Sequence, residues 1–163
     1  MGGAYLLTGR YTEAVTTEQE FLSRSPSHPY GRFVLAASYF FQWYFQQSAD
    51  TRMLAQALEA AQRVIALNAS FSAGHGILGA VYLGQKQYEP ALAEMEQAIA
   101  LDPDNATGYA FLAQVLSRVG RQEEAVRMVE QALRRKPLIA DQHLNSVGAA
   151  YYLAGRPVEA IPP

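Results

Sequence analysis

Three histidines are the side chains of this sequence best suited to hold a metal or move a proton, and their spacing denies them both roles. His28, His75 and His143 are far apart, none lies three or four residues from a second ligand on one helix face, and there is no cysteine. A zinc site needs three or four such ligands together, so no metal is expected. His75 reads as a packing or surface histidine. Asp102-Pro103-Asp104-Asn105 is acidic, but it lacks the glycine and the closing glutamate of a calcium loop and reads as a helix-linking turn. Gly74-His75-Gly76 and Gly79 have the glycine content of a phosphate cradle without its strand or its G-x-G-x-x-G spacing. They read as places where helices pack closely. Arg134-Arg135-Lys136 offers charge to an acidic partner, with a solvated helix end as the default, because cations suit the negative end of the helix dipole. No acid–base pair stands out, so the expectation is no enzyme activity and no cofactor.

What recurs instead is small and apolar. Leu78, Gly79, Tyr82, Ala91, Ala98 and Pro103 return 34 residues later as Leu112, Ala113, Leu116, Ala125, Ala132 and Pro137. At an offset of 35, Val147, Gly148, Tyr151, Gly155 and Ala160 match Leu112, Ala113, Leu116, Gly120 and Ala125. A period of this length marks a helical array in which each repeat is two antiparallel helices that bury their apolar faces only by stacking on neighbours. Gly79, Ala113 and Gly148 then sit where the first helix presses closest to its partner, and Ala91, Ala125 and Ala160 do the same from the second. Pro103 and Pro137 end one helix and turn toward the next. Asn105 and Asp141 read as N-caps. Upstream, Tyr5, Gly9, Tyr11, Ala14 and Pro26 form the second half of one more repeat. The next copy has Leu35, Ala36 and Tyr39, then Ala57, Ala61 and Val64. From Tyr39 to Tyr82 is 43 residues, so about nine are inserted, within Phe45 to Met53, and Ala69 replaces the usual proline. The spacing predicts helices over 11–24, 30–47, 51–67, 73–85, 88–101, 106–119, 122–135 and 141–154, with Pro90 harmless in a first turn.

These residues at these offsets resemble the tetratricopeptide repeat (TPR). The resemblance implies an all-α fold, a right-handed TPR solenoid of antiparallel helix pairs, with three well-formed repeats and partial repeats at both ends. One TPR domain over 1–163 is expected, divided as a partial repeat 1–28, a long repeat 29–71, repeats 72–105 and 106–140, and a truncated repeat 141–163. Residues 33–161 also resemble the repeat region appended to bacterial class III nucleotide cyclases and related signalling proteins. Both ends read as interrupted, which favours a piece of a longer protein or an array that caps itself by association through Leu6, Leu7, Val147 and Tyr151.

In the helix over 30–47, Leu35, Ala36, Tyr39 and Trp43 form the stripe expected within the repeat, while Phe33, Ala37, Phe40, Phe41 and Tyr44 form a second. Two stripes mean two covered faces. The second is either core consumed by the longer helices of that repeat or, as the family resemblance implies, one wall of a concave ligand groove. The groove so implied is lined by Phe33, Ala37, Phe40, Tyr44, Ile77, Ala80, Leu83, Phe111, Gln114, Arg118, Asn145 and Tyr152, with Ala149 beside them. Its expected occupant is a helix or an extended peptide of a protein partner. Chaperone-adaptor TPRs grip a C-terminal carboxylate with Lys, Arg and Asn; the matching positions here hold Phe33, Ala37, Ile77, Thr107 and Phe111, so that clamp is not expected.

Composition agrees with a packed helical chain. At 163 residues, half of them apolar, a globular chain would bury roughly 70% of its unfolded surface. A net charge of −2 gives no reason to expect nucleic acid. There is no apolar run of spanning length, so membrane insertion is not expected. The lack of cysteine fits a reducing compartment, and a cytoplasmic location is the expectation. The reading as a whole is a non-catalytic protein–protein interaction scaffold; the alternative is a self-associating assembly module that regulates a larger multidomain signalling protein as a homo-oligomer.

Overall fold

The structure, a computed structural model, describes residues 2–46 and 51–136, together with 148, 150–152 and 154–155. The helices with described limits are α1 (Gly2–Leu7), α2 (Tyr11–Arg24), α3 (Pro29–Gln46), α4 (Arg52–Leu67), α5 (Ser72–Gly84), α6 (Tyr88–Leu101), α7 (Ala106–Arg118) and α8 (Gln122–Arg135), and residues 148 and 150–152 are also helical. The described residues contain no strand. The chain forms two compact units, Met1–Gln87 and Tyr88–Pro163.

In the first unit α3 is the central element. It packs on α1, α2, α4 and α5. Every residue from Val34 to Phe40 is buried, as expected of a helix that is apolar on all sides. The flanking helices are covered on one face only: Ala14, Glu18 and Leu22 of α2 follow a four-residue step, and Leu54, Ala57, Ala61 and Val64 of α4 follow steps of three and four. Alanine is what lets the helix axes approach. Gly79 is buried, and Gly74 of the same helix lies in close approach to α4. A Cβ on Gly74 would lie 2.6 Å from Cγ1 of the fully buried Val64 and 3.1 Å from Cδ1 of Ile65, whereas one on Gly76 would meet nothing within 4 Å. Gly74→Leu is therefore expected to destabilise by about 1–3 kcal/mol through overpacking. Gly76→Ala should stabilise by about 0.5–1 kcal/mol through helix propensity. Urea denaturation of the two variants checks the contrast, and equal effects would refute it.

The second unit stacks α6 on α7 and α7 on α8. Ala91, Met95 and Ala98 of α6, an almost continuous run from Gly108 to Leu116 of α7, and Ala125, Val126, Val129 and Ala132 of α8 are buried. Asn105 caps α7 as its position implied, its side-chain oxygen accepting the Gly108 N–H at 3.1 Å. Asp141 lies outside the described residues. Arg135 departs from the solvated reading of its cationic run. Its Nε donates to the Pro103 carbonyl at 2.6 Å, Nη1 donates to Gln131 Oε1 at 2.7 Å, and the guanidinium sits 4.3 Å above the Tyr109 ring. It ties the end of α8 to the turn before α7.

Helices α1, α5 and α7 close in the same way. Gly9, Gly120 and Gly155 adopt positive φ, and Lys86 (φ 60°) takes that conformation after α5. The following N–H reaches back to close the turn: Arg10 to the Tyr5 carbonyl, Gln87 to Tyr82 and Arg121 to Leu116, each at 2.9 Å. This is the six-to-one bond of a Schellman end, which satisfies a carbonyl the helix leaves open.

Candidate partner-binding surface

The second stripe of α3 is a connected set of rings. Phe40 and Tyr44 stack at 5.8 Å, and Phe40 meets Phe41 at 5.3 Å and Trp43 at 6.1 Å. Phe41 and Phe45 lie 6.0 Å apart, and Tyr11, from α2, lies against both, at 6.0 and 5.8 Å. Its plane is within 5° of that of Phe45. At the other end of the stripe Phe33 meets Tyr30 at 5.9 Å and Phe71 edge-on at 5.6 Å. Burial holds the Tyr11 hydroxyl above its ordinary pKa, so this ring stays uncharged at neutral pH.

Exposure divides the expected groove residues. Ala37, Phe40, Ile77, Ala80 and Phe111 are buried, with Phe40 only 2% exposed. In α3 the reason is that α1 and α5 both pack on the helix that carries the stripe. Phe33, Leu83 and Gln114 are half-buried and Arg118 is exposed. Tyr44 is 40% exposed and Tyr152 is 71% exposed. Asn145 lies outside the described residues, as does Ala149. Solvent thus meets the first unit's stripe mainly at Phe33, Phe41, Tyr44 and Leu83, and at Phe45, which is 62% exposed. Phe45, assigned to the insertion by spacing, is in the last turn of α3. The sequence reading missed Tyr11 and Phe71 as members of the ring set, since both come from outside α3 and no periodicity links them to it.

The titratable groups take structural roles. His75 is buried with Nε2 2.9 Å from the Ala69 carbonyl oxygen, and His28 Nδ1 accepts the Gly31 N–H at 3.1 Å. Among the described residues no three His, Asp or Glu side chains converge as a metal site would require. Of the residues expected at uncovered ends, Leu7 is 88% exposed, Leu6 half-buried and Tyr151 buried; Val147 lies outside the described residues. No helix among the described residues is long and apolar enough to cross a membrane.

Helix pairs of this length, joined by glycine-type turns and packed through alanines, define an interaction-scaffold fold. Tetratricopeptide-repeat models match residues 50–106 and 82–144, and the chain belongs to the tetratricopeptide repeat family. No curated protein sequence matches it. Among solved structures it is similar to MamA, at 22% identity over 98% of this chain and 88% of that one, with a TM-score of 0.69. It is also similar to TTC0263, a thermophilic TPR protein of Thermus thermophilus, at 25% identity over 91% and 77% of the two chains, with a TM-score of 0.76. The first TPR of Spaghetti (RPAP3), solved with the HSP90 peptide SRMEEVD, matches at 22% identity over 72% and 86%, with a TM-score of 0.61.

Proposed function

We propose that this TPR scaffold captures an uncharged helix or extended segment of a protein partner on the face of its first-position helices, without catalysis. The observation that carries the reading is the ring set of α3, whose buried member Phe40 supports the exposed Tyr44. A rigid aromatic backed by packed rings is the kind of anchor that dominates interface energies. In the first unit Phe33, Ala37, Phe40, Tyr44, Ile77, Ala80 and Leu83 would form the apolar part. In the second unit, taken by itself, Phe111, Gln114, Arg118, Asn145 and Tyr152 are the proposed contacts of the same face.

Selection from a peptide display library on the wild-type chain, repeated with Tyr44→Ala and Leu83→Ala, tests this. Truncating a true anchor should weaken the selected peptide by about 2 kcal/mol or more. Unchanged affinity in both variants would move the site elsewhere. The partner class is testable separately with SRMEEVD, the peptide bound by Spaghetti. The positions that would face its carboxylates hold Phe33, Ala37, Ile77, Thr107 and Phe111, with no cation among them. Calorimetric titration should show no saturable binding in the micromolar range, because a desolvated carboxylate without a cationic partner is unfavourable. Salt-sensitive micromolar binding would refute the groove assignment.

A second reading is favoured by Leu7, whose side chain stands almost fully in solvent. Self-association through that end would make the chain an assembly module, and sedimentation over a range of concentrations would reveal it.

A further inference from the structure

Glu18 is the only carboxylate among the described residues that is buried, 6% exposed, and the binding face has no use for it. It projects from the middle of α2 into the junction of α1, α2 and α3. Two glycines make room for it. A Cβ on Gly2 would overlap the Glu18 side chain, and a Cβ on Gly31 of α3 would lie 3.1 Å from its Oε2. The Gly2 N–H donates to the carboxylate. One residue on, Gly3 rests against the Tyr30 ring of α3, with 3.1 Å between the Tyr30 hydroxyl and an ideal Cβ on Gly3. The helix held by these contacts has six residues, far too few to persist unaided in water.

We propose that Glu18 makes the docking of α1 proton-dependent, so that acid holds α1 on α2 and α3 and a rising pH loosens it and uncovers the side of α3 that it shields. Moving a carboxylate out of water disfavours its charged form. Desolvation by burial is the largest influence on Glu18 and raises its pKa above the ordinary 4.5; the amino-terminal charge, His28 and the Gly2 N–H oppose it. Phe21 and Tyr30, which lie against Gly31 and Gly3, line the same junction. Gly2 of α1 lies directly over the carboxylate, so release of α1 returns it to water, and the proton is held more tightly while α1 is docked. Its contribution is complete below the ordinary value and is lost as pH rises through the raised one. The release is local, because α4 and α5 do not touch α1.

Amide hydrogen exchange on the full chain, corrected for intrinsic rates and measured from about pH 4 to about pH 8, reads the docking directly. The reporters are the Thr8 and Arg10 amides, bonded to the Ala4 and Tyr5 carbonyls, with the Asn68 amide at the end of α4 as the internal control. In the wild type the α1 reporters should lose protection several-fold with rising pH while Asn68 holds. Glu18→Gln should keep the protected level throughout, and His28→Gln should retain the transition. A pH-independent wild type, an unchanged transition in Glu18→Gln, or its disappearance in His28→Gln would each overturn the proposal. Should Glu18→Gln fail to fold, carbon-detected NMR titration of the wild-type carboxyl decides instead, and a midpoint at or below the ordinary value would overturn it.

Discussion

Phe40→Ala is expected to lower the stability of the first unit by about 3–5 kcal/mol. Tyr44→Ala, one turn along the same stripe, should cost only about 0.5–1.5 kcal/mol, the scale of a single ring contact. The two side chains stack on each other, but only Phe40 is enclosed on all sides, between the rings of its own helix and the helices packed around it. Removing it leaves a cavity in a helix that four others contact, and alanine-rich neighbours have few side-chain atoms with which to fill it. Tyr44 loses contacts on one side only. Urea denaturation followed by far-ultraviolet circular dichroism separates the two, and equal losses would mean that Tyr44 is core and unavailable to a partner.

The second large effect is expected at Phe111. Its place on the inner stripe suits a groove position, which would make its truncation much milder than that of Leu112 in the neighbouring core stripe. Both side chains are buried. Phe111→Ala should therefore cost about 3–5 kcal/mol and Leu112→Ala about 2–5 kcal/mol. Loss of partner binding in Phe111→Ala would then report unfolding as much as contact. Gln114 and Arg118, half-buried and exposed on the same helix, are the proposed contacts whose truncation should leave stability nearly unchanged. Thermal unfolding of the four single variants checks this ordering; a Phe111→Ala variant as stable as Gln114→Ala would restore Phe111 to the surface.

Much of this architecture is legible in the sequence because it rests on steric requirements that recur at a fixed period. Helix limits expected at 11–24, 88–101 and 122–135 are those found, and those expected at 30–47, 51–67, 73–85 and 106–119 differ by a residue at one or both ends, while the limits of the helix expected at 141–154 lie outside the described residues. The turn positions Gly9, Gly120 and Gly155 follow the same register, since positive φ is most easily met by glycine. Lys86 escapes that logic by accepting the left-handed conformation without being glycine. The candidate surface is less legible for a geometric reason. A stripe facing a groove and a stripe facing the next repeat have the same helical spacing, so Phe33 and Phe40 look alike until neighbouring helices cover one more than the other. Glu18 carries no signal at all. Its burial depends on Gly2 and Gly31, which lie 16 residues before it and 13 after it and belong to no repeated position. Arg135 escapes for the same reason, because its carbonyl partner Pro103 is 32 residues away.

Within each unit, helices touch only the next helix or the next but one along the chain. Folding therefore requires few long loops to be closed, and chains dominated by such local contacts reach the native state quickly. The order of synthesis and the order of packing coincide. As the polypeptide is made, α3 can settle on α2 while α5 is still being added, so the surface bearing Phe33 and Tyr44 begins to take shape before its last wall exists. A partner present during translation would meet that surface in a half-built form, and binding then would act on the folding rate as well as on the finished scaffold.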